Sequence, residues 1–398
     1  MIKVLLANMH YPDRYNLWAP WNKLANTAIA RTQAVEPEIV VPRPFALPFR
    51  FFPHHEMCHL PVTEESAEGK IHYPRFLYLL PKKYFYGASF DFYQQFVGKY
   101  VSRNIEKKDL IHSHFVFMDG YGMIRTSKKW GVPLIVDVHG DSIFTHMVRD
   151  RLVGRKMTET LQHASKVVCI SRNLCNLAKD FGLPEDKIEY VPLGIDIGKY
   201  RPEQQDRVKN ERGLQDKIVI LFVGQLIERK GVRHLLKSLA LTEPALLRKC
   251  KVVIIGDGAD RRHLEWLADK LGLEGLVTFT GKVSDEELLD WYAAADVFVL
   301  PSLSEGRPTV INEAMASECA VIASNVSGIP EQVADGCNGF LVPPADPVAL
   351  ARKIAYLLEN ENSIGIMGRK GREKIVDEKI TWEGYAERMV RIYRGVTG

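Results

Sequence analysis

The sequence predicts an α/β protein of two doubly wound domains, and three observations carry this prediction. Short apolar runs rich in β-branched residues alternate with segments of helical length, first in residues 1–195 and again in residues 217–378. The connections between them are short, as in βαβ units. The 398 residues are also too many for one ordinary hydrophobic core. Two such domains side by side would place a ligand cleft between them.

In the first domain, each predicted strand is a short apolar run that suits a buried parallel sheet. These strands are Ile2–Ala7, Glu38–Val41, Leu110–Ser113, Leu134–Val138, Lys166–Ile170 and Lys187–Val191. The helices predicted between them are Trp21–Ala34, Asp119–Trp130, His146–His163 and Arg172–Phe181. His10–Pro20 is predicted to be a loop.

Residues 42–100 interrupt this alternation with a segment rich in Phe, Tyr, Pro and His. One interpretation is an aromatic and basic surface that meets an acceptor or a membrane. The other, which we favour, is a folded insertion whose aromatic residues pack into the first domain, because prolines from Pro42 to Pro81 interrupt any long amphipathic helix. Asp91–Asn104 has aromatic residues at helical spacing, which is more typical of a core than of a ligand site.

A polar stretch, residues 196–216, is predicted to link the domains. The strands predicted in the second domain are Ile218–Val223, Lys251–Ile255, Val277–Thr280, Val297–Leu300, Ala320–Ala323 and Gly339–Val342. The helices are Val232–Leu241, Ala259–Leu271, Asp285–Ala294, Thr309–Ser317, Pro347–Glu359 and Asn362–Val376. A final amphipathic helix, Trp382–Tyr393, ends the chain.

Composition excludes several classes of protein. Lys and Arg total 53 against 49 Asp and Glu and are spread along the chain, which does not indicate nucleic-acid binding. No apolar run reaches the roughly 18 residues of a transmembrane helix, and the apolar N-terminus is a strand and not a signal peptide. The cysteines show no C-x-x-C spacing and are expected to be reduced core residues of a cytosolic protein; they are Cys58, Cys169, Cys175, Cys250, Cys319 and Cys337.

The strongest single pattern follows Asp296, where a buried strand leads into a polar loop and then into a helix that begins near Pro308. Glu305 lies on the loop and Glu313 lies on the helix, so both can face one crevice at the carboxyl end of the strand. A helix start without an obvious capping side chain favours an anionic or oxygen-rich ligand. The alternative is that Ser302 and Glu305 form a capping box and that Glu313 is a solvated helix residue.

Two turns of the second domain suit a phosphorylated ligand. Lys230 follows a strand and precedes a helix, which is an arrangement for binding phosphate that Arg229 can share. The alternative is a solvated turn. Gly256 and Gly258 follow the next strand, but Arg261 replaces the third glycine of the dinucleotide fingerprint. We therefore interpret this turn as lining a nucleotide and not as an NAD site.

In the first domain, Asp137, His139 and Gly140 lie at the end of one predicted strand, and Ser171 lies at the same level after another. A histidine there can hydrogen-bond a sugar hydroxyl or take part in proton transfer, and a purely structural histidine is the alternative. We find no His, Cys, Asp or Glu group with metal-ligand spacing. Neutralising a diphosphate would then fall to Lys230, Arg229 and helix dipoles.

Taken in order, these motifs resemble glycosyltransferase family 4, the retaining sugar transferases of the GT-B fold. The matching pieces are DVHGD (137–141), VCISRNL (168–174), VPLGID (191–196), VGQLIERKG (223–231), VIIGDG (253–258), FTGKV (279–283), the run 296–324 and GIPEQVADGCNGFLVPPAD (328–346). The resemblance covers nearly the whole chain from Asp109 on. It is most specific in the second domain, where Glu305 and Glu313 match the family's paired glutamates.

The resemblance implies two Rossmann-like doubly wound domains that face each other across a cleft. The first, residues 1–195 with the insertion 42–100, would bind the acceptor, and the second, residues 217–378, would bind the nucleotide-sugar. Residues 379–398 would form a helix that crosses back to the first domain, the alternative being that it packs on the second.

By resemblance, Glu305 would bind the donor sugar, Lys230 the diphosphate and Glu313 the ribose, while His139 would contact the sugar from the first domain. His139, Lys230 and Glu305 are thus the candidate catalytic residues. The implied donor-binding set is Gly224, Gln225, Arg229, Lys230, Gly256, Gly258, Lys282, Val283, Glu305, Gly306, Arg307, Pro308, Thr309, Val310 and Glu313. The implied acceptor-side set is Asp137, His139, Gly140 and Ser171.

The implied reaction is retaining transfer from a nucleotide-diphospho-sugar to a hydroxyl of a glycan, a lipid-linked sugar or a small molecule, with no metal or other cofactor. A lipid-linked acceptor would add contact with the inner face of the membrane to a cytoplasmic enzyme. A nucleotide-sugar epimerase, a phosphorylase and a non-catalytic subunit on the same fold are the alternatives. Three departures from the family stand out. Gln225 replaces a frequent Arg, Leu193 replaces a linker Asn, and the first loop lacks a glycine pair.

Overall fold

The computed structural model describes residues 1–12, 19–45, 59–76, 82–140 and 151–398, with only the backbone described for 82–88. The chain divides into two compact units. The first unit comprises Met1–Gly194 and Trp382–Gly398, and the second comprises Ile195–Thr381. The final helix therefore belongs to the first unit. The predicted linker, residues 196–216, belongs to the second and is not a separate segment.

The first unit is built on a mostly parallel sheet whose strand order reverses in the middle. In chain order its elements are β1 (Ile2–Ala7), α1 (Pro20–Arg31), β2 (Val35–Val40), β3 (Arg43–Pro44), β4 (Thr63–Ser66), β5 (Gly69–His72), β6 (Arg75–Phe76), α2 (Lys82–Asn104), β7 (Leu110–Ser113), α3 (Tyr121–Trp130), β8 (Leu134–Val138), α4 (Arg151–His163), β9 (Lys166–Cys169), α5 (Arg172–Asp180) and β10 (Ile188–Tyr190).

The order of this sheet is β10-β9-β8-β7-β1-β2-β5-β4, and only the β4–β5 pair is antiparallel. Such a sheet forms because its apolar runs are covered on both faces: β7 and β8 are buried throughout, and β1 is buried from Val4 to Ala7. Chain order reverses between β1 and β7, so the loops that follow these two strands flank a switch point. Ligands bind preferentially at such a point in open α/β sheets.

The segment 42–100 folds into the first unit wherever the structure describes it. β5 extends the main sheet, β3 pairs with β6, and α2 buries Phe90, Tyr93 and Val97 completely. This packing agrees with a folded insertion. The helix begins at Lys82, well before the predicted Asp91, so the helical spacing of the aromatic residues revealed only its second half.

The second unit has the element order of a Rossmann domain. Its elements are α6 (Gln205–Glu211), β11 (Ile218–Val223), α7 (Val232–Leu241), α8 (Pro244–Leu247), β12 (Cys250–Ile255), α9 (Arg261–Lys270), β13 (Val277–Gly281), α10 (Asp285–Ala294), β14 (Val297–Leu300), α11 (Thr309–Ala316), β15 (Ala320–Ser324), α12 (Ile329–Gln332), β16 (Gly339–Val342), α13 (Pro347–Glu359) and α14 (Glu361–Asp377). The terminal helix of the first unit is α15 (Trp382–Thr397).

The second sheet is wholly parallel in the order β13-β12-β11-β14-β15-β16. This is the doubly wound order 3-2-1-4-5-6, with its switch point between β11 and β14. The loops after these two strands are the ones that carry Lys230 and Glu305, respectively. The predicted strands and helices of this domain are therefore confirmed to within a few residues, with α9 starting at Arg261 and not at Ala259.

An ion pair explains why the polar stretch 196–216 is part of the second unit. Lys209 of α6 places its Nζ 2.7 Å from Oδ2 of Asp296, which immediately precedes β14. The same carboxylate oxygen accepts a hydrogen bond from the backbone N–H of Val219, at 2.7 Å. α6 is thereby tied to the amino-terminal edge of the sheet.

No helix of the described residues combines the length and the apolar character needed to cross a bilayer. The described cysteines carry free thiols. Four of them are buried, as predicted for core residues: Cys169, Cys175, Cys250 and Cys319. Cys337 is exposed, and Cys58 lies outside the described residues.

Candidate active site

Two loops meet at the switch point of the second unit, one after β11 and the other after β14. The backbone N–H of Leu303 donates to the carbonyl oxygen of Arg229, at 2.7 Å. Gly231 has φ +69°, and a Cβ there would lie 1.9 Å from the carbonyl oxygen of Pro301. Only glycine permits so close an approach. This contact brings the side chains of Lys230 and Glu305 together.

The carboxylate of Glu305 is the centre of this arrangement. Its Oε1 lies 2.6 Å from Lys230 Nζ and accepts a hydrogen bond from the Ser302 hydroxyl at 2.7 Å. Its Oε2 lies 3.3 Å from Nη1 of Arg229. The Glu305 residue is only 5% exposed, so these contacts compensate a charge that burial alone would disfavour. An ammonium group has three N–H donors, so Lys230 can bind Glu305 and an anionic ligand together.

The capping-box alternative is wrong. Ser302 bonds the side chain of Glu305 and not its backbone, and α11 begins at Thr309. Its N-cap residue is Pro308, and no side chain caps the helix start. The Gln332 amide instead holds this start from outside by donating to the Pro308 carbonyl oxygen at 3.0 Å.

Glu313 lies on α11 and is partly buried. The hydroxyl of Tyr292, a fully buried residue of α10, donates to its Oε2 at 2.7 Å. Burial raises the pKa of Glu313, and hydrogen bonds from Tyr292 and Thr309 oppose that rise. Glu313 is therefore held in place, which a solvated helix residue would not be. Sequence reasoning missed Tyr292, whose contact with Glu313 comes from outside the motif, and it considered Ser302 only as part of a capping box.

The glycine turn after β12 ties three neighbouring loops together. The N–H of Gly256 donates to the Gly281 carbonyl oxygen at 2.9 Å, and the N–H of Gly224 donates to that of Ile255 at 3.0 Å. Gly256 has φ +133°, and a Cβ there would lie 1.9 Å from the Gly224 carbonyl oxygen. The backbone at the carboxyl ends of β11, β12 and β13 is therefore closely packed, and a ligand can approach it without meeting side chains at the glycines.

The remaining donor-set residues lie at the same edge of the second sheet. Gln225 and Lys282 are exposed, Gly258 and Val283 are partly buried, and Arg307 is 6% exposed. Gly306 lies on the loop after β14, and its carbonyl oxygen accepts from the N–H of Gly328 at 3.0 Å. Val310 lies in the first turn of α11. The predicted donor set thus lies on the loops after β11 to β14 and on α11, which follows the last of these loops.

In the first unit, a buried carboxylate lies between two histidines that sequence reasoning did not single out. Asp137 is the fourth residue of β8, and His112 and His114 are alternate residues along β7 and the loop after it. His112 Nε2 lies 2.8 Å from Asp137 Oδ1, and His114 Nδ1 lies 3.0 Å from Oδ2. Alternate residues point to one face of a strand, so the H-x-H spacing was a usable signal.

Burial alone would raise the pKa of Asp137, but His112 and His114 lower it well below its ordinary value by their charges and hydrogen bonds. The outer nitrogens of the two rings are also engaged. His112 Nδ1 lies 2.7 Å from the Tyr393 hydroxyl on α15, and His114 Nε2 lies 2.7 Å from Oδ1 of Asn26 on α1. We call these five residues the Asp137 network.

Three residues of this network, His112, His114 and Asp137, form a group that could hold a metal ion, contrary to the expectation that no such group exists. The ligand atoms of His112, His114 and Asp137 all lie within 4.8 Å of one another. Each inward nitrogen, however, lies at hydrogen-bond distance from a carboxylate oxygen. Ligands of one tetrahedral zinc ion are about 3.3 Å apart, as follows from zinc–ligand bonds of about 2.0 Å. In this structure the two histidine side chains are hydrogen-bonded to the Asp137 carboxylate.

His139 lies beside this network at the end of β8. Its ring packs against Phe115 with centroids 4.9 Å apart, and Phe115 in turn contacts the ring of His10 at 4.8 Å. Burial lowers the pKa of His139 to about 4, although the charge of Asp137 opposes this. The imidazole is consequently neutral near pH 7, a state in which one ring nitrogen can accept a hydrogen bond.

Two residues of the predicted acceptor-side set have structural contacts that keep them from facing a ligand. Asp137 is 2% exposed and both of its oxygens are engaged by histidines. Ser171 is fully buried and caps α5, accepting from the backbone N–H of Leu174 at 3.2 Å. Gly140 is partly exposed, and Asp141, which ends the DVHGD motif, lies outside the described residues.

Two family models match the chain. The model of the family "Glycosyl transferases group 1" matches residues 204–374, and that of "Glycosyltransferase Family 4" matches residues 51–199. The chain is 30% identical over 304 residues to D-inositol 3-phosphate glycosyltransferase 2 of Catenulispora acidiphila, which covers 72% of this chain and 70% of the relative. It is 31% identical over 305 residues to an uncharacterized glycosyltransferase of Methanocaldococcus jannaschii, covering 73% and 76%.

Solved structures share the whole fold. HepE of Anabaena, crystallised with UDP, superposes with a TM-score of 0.76 at 18% identity, covering 99% of this chain and 100% of that one. Sucrose-phosphate synthase of Thermosynechococcus elongatus gives 0.79 at 22% identity, covering 99% of each. The fold is that of the GT-B glycosyltransferases, with two Rossmann-like domains. The chain belongs to glycosyltransferase family 4, and nucleotide-sugar-dependent transfer fits this membership.

Proposed function

We propose that the protein transfers a sugar from a nucleotide-diphospho-sugar to a hydroxyl acceptor, with retention of anomeric configuration and without a metal cofactor. One observation carries the proposal. Lys230 and Arg229 converge on the buried Glu305 at the switch point of a Rossmann sheet, with Lys230 Nζ 2.6 Å from Oε1. This is where such sheets bind nucleotides.

In this proposal, Lys230 and Arg229 neutralise the diphosphate, on which negative charge grows as the sugar–phosphate bond breaks. The uncapped start of α11 adds backbone N–H groups and the positive end of a helix dipole. Glu305 accepts hydrogen bonds from the sugar hydroxyls, and Glu313 accepts them from the ribose. Because Lys230 and Arg229 neutralise the diphosphate, the proposed reaction needs no metal ion. Transfer that EDTA abolishes and added Mg²⁺ restores would contradict this part.

The donor and acceptor to try first come from the relatives. HepE has been crystallised with UDP-glucose, so UDP-glucose heads a panel of UDP-, GDP- and ADP-sugars. Several relatives at about 30% identity are named D-inositol 3-phosphate glycosyltransferases, so an inositol phosphate heads the acceptor panel. A lipid-linked acceptor and contact with the cytoplasmic face of a membrane are a further part of the proposal, which sedimentation with liposomes tests.

The decisive experiment measures release of nucleoside diphosphate by the purified protein and by two variants, Glu305→Ala and Lys230→Ala. Each variant should lose at least about 100-fold in kcat/KM, because each removes charge or hydrogen bonding at the reacting diphosphate or sugar. Lys237→Ala is the matched control, since Lys237 is an exposed lysine on α7. Near-normal turnover in both variants would overturn the assignment.

Two further measurements separate the parts of the proposal. The anomeric configuration of the product, determined by NMR, tests retention, and an inverted product contradicts it. Titration calorimetry with UDP and GDP tests nucleotide binding without any acceptor. A protein that binds no nucleotide would be a non-catalytic subunit, and one that rearranges or phosphorolyses the sugar without an acceptor would be an epimerase or a phosphorylase.

A further inference from the structure

The Asp137 carboxylate lies among three imidazole rings and completes hydrogen bonds with only two of them. Oδ1 is 2.8 Å from His112 Nε2 and Oδ2 is 3.0 Å from His114 Nδ1. The third ring is that of His139, whose Nε2 lies 3.8 Å from Oδ2. A carboxylate oxygen has two lone pairs, so Oδ2 can accept a second N–H.

The two inner histidines are fixed at both ends. The Tyr393 hydroxyl donates to His112 Nδ1 when His112 Nε2–H donates to Asp137, so this ring has one tautomer that satisfies both contacts. The outer nitrogen of His114 lies 2.7 Å from the amide oxygen of Asn26, so an acceptor oxygen faces each nitrogen of this ring. Because α15 and α1 supply these partners, the direction of the carboxylate is set by elements outside its own strand.

His139, in contrast, is not fixed by hydrogen bonds. Among the described residues, neither of its ring nitrogens has a hydrogen-bond partner; both nitrogens are buried, and the side chain as a whole is 12% exposed. The ring packs against that of Phe115, with the two ring planes tilted by 43°. The groups that face it are the Asp137 carboxylate, the rings of His112 and His114 and the backbone of His114.

We infer that Asp137 is a positioning residue for His139: its carboxylate attracts the Nε2–H of that ring and so leaves Nδ1 as the nitrogen that can accept a hydrogen bond. This inference rests on the proposed function, because it assigns a task to His139 in sugar binding. It replaces the expectation that Asp137 itself meets the acceptor. The competing tautomer, with the proton on Nδ1 and turned to the His114 backbone, is what the experiment must exclude.

The first experiment reads the tautomer directly and needs no substrate. The protein is labelled with ¹⁵N-histidine, and long-range proton–nitrogen correlation spectra are recorded near pH 7 on the full chain. His139→Gln assigns the signals by their disappearance. His139 is expected to carry its proton on Nε2 in the wild type and to become a mixture of tautomers in Asp137→Asn. A wild-type ring protonated on Nδ1 would overturn the inference whether or not the protein transfers sugar.

The second experiment is a double-mutant cycle in the transfer reaction. Asp137→Asn is expected to lower kcat by about 10- to 100-fold and to change KM for the donor by less than about threefold, because orientation of the reacting groups is lost while donor binding persists. In the His139→Gln background the same change should have almost no further effect. A full additional loss there would mean that Asp137 acts on stability and not through His139.

Two controls complete the design. Asp109→Asn changes an exposed carboxylate that accepts one backbone N–H, from Lys3 at 2.7 Å, just before β7, and it should leave both the tautomer and kcat unchanged. Tyr393→Phe removes the hydroxyl that holds His112 and should shift the tautomer in the direction of Asp137→Asn, with a smaller loss of kcat of about threefold to tenfold. If the protein transfers no sugar but His139 shows the Nε2–H tautomer, the proposed function has failed and the positioning by Asp137 stands.

Discussion

Replacing Lys230 by methionine should destabilise the second unit strongly, because Arg229 is then the only cation of the described residues that contacts the buried Glu305 carboxylate. At 2.6 Å and an effective dielectric constant of about 20, the lost attraction is roughly 6 kcal/mol before desolvation is counted. The removal of one partner from a buried pair typically costs about 3–5 kcal/mol. Arg229 lies at 3.3 Å and is 47% exposed, so it compensates only in part. We expect a loss of about 3 kcal/mol.

The double variant should be more stable than the single one. Glu305→Gln removes the uncompensated charge and leaves an amide oxygen that still accepts from the Ser302 hydroxyl. Adding it to Lys230→Met should therefore restore about 2 kcal/mol, which is the part of the loss that comes from a buried charge. Lys237→Met, at an exposed lysine of α7, should change stability by less than about 0.5 kcal/mol.

The measurement must report on the second unit alone, because two units need not unfold together. Trp266 and Trp291 lie in that unit, so urea unfolding followed by ¹⁹F NMR of 5-fluorotryptophan gives its midpoint directly. No nucleotide is added, since a ligand would stabilise the folded state. A loss below about 1 kcal/mol in Lys230→Met, or no recovery in the double variant, would refute the view that Glu305 depends on Lys230 for its charge compensation.

Three further outcomes follow from single contacts. Burial raises the pKa of Asp119 from 3.8 to about 7, so the folded state binds this proton more tightly than the unfolded state does. The free energy of unfolding should therefore fall by up to about 4 kcal/mol between pH 4 and pH 7. Chemical denaturation of Asp119→Asn at several pH values should show that this pH dependence is removed. Gly231→Ala should cost more than about 2 kcal/mol and abolish nucleotide binding in calorimetry, because its Cβ meets the Pro301 carbonyl oxygen; an active, stable variant would contradict the close approach of the two loops. Tyr292→Phe should raise KM for the donor about fivefold with kcat nearly unchanged, since it releases Glu313 without touching the reacting bond, and a selective loss of kcat would refute this.

The second unit could be predicted well from sequence because its signals are local. Each strand is a continuous apolar run, and each functional loop follows its strand directly, so Lys230 and Glu305 could be placed at the same sheet edge. The direct contact between Lys230 and Glu305 could not be predicted, because it depends on Gly231 packing against Pro301, a contact between distant parts of the chain. Tyr292, the hydrogen-bond partner of Glu313, was missed for the same reason, because it lies on a different helix.

The first unit was harder to predict because its important contacts join four separate elements. The Asp137 network contains residues of α1, of β7 and the loop after it, of β8 and of α15. No local spacing in the sequence predicts that Asn26 or Tyr393 belongs to it. The H-x-H pattern of His112 and His114 was available, but C-x-x-C-type templates do not detect alternation along a strand. The early start of α2 was hidden as well, because an aromatic, proline-flanked segment has weak helical periodicity.

Both units place a buried carboxylate at the carboxyl edge of their sheet, and the groups around each carboxylate determine what it can do. The charge of Glu305 is compensated by Lys230 and by the half-exposed Arg229. Both cations have more N–H donors than Glu305 engages, so they can also bind an anionic ligand. Asp137 is compensated by two rigid imidazoles that are themselves held by Tyr393 and Asn26, so its surroundings are closed to a ligand. A carboxylate that no ligand can reach can act only through a neighbouring residue. Among the described residues, His139 is the neighbour whose ring nitrogens have no hydrogen-bond partner. The same burial that makes Asp137 unsuitable as a binding residue is thus what makes it suitable for orienting one.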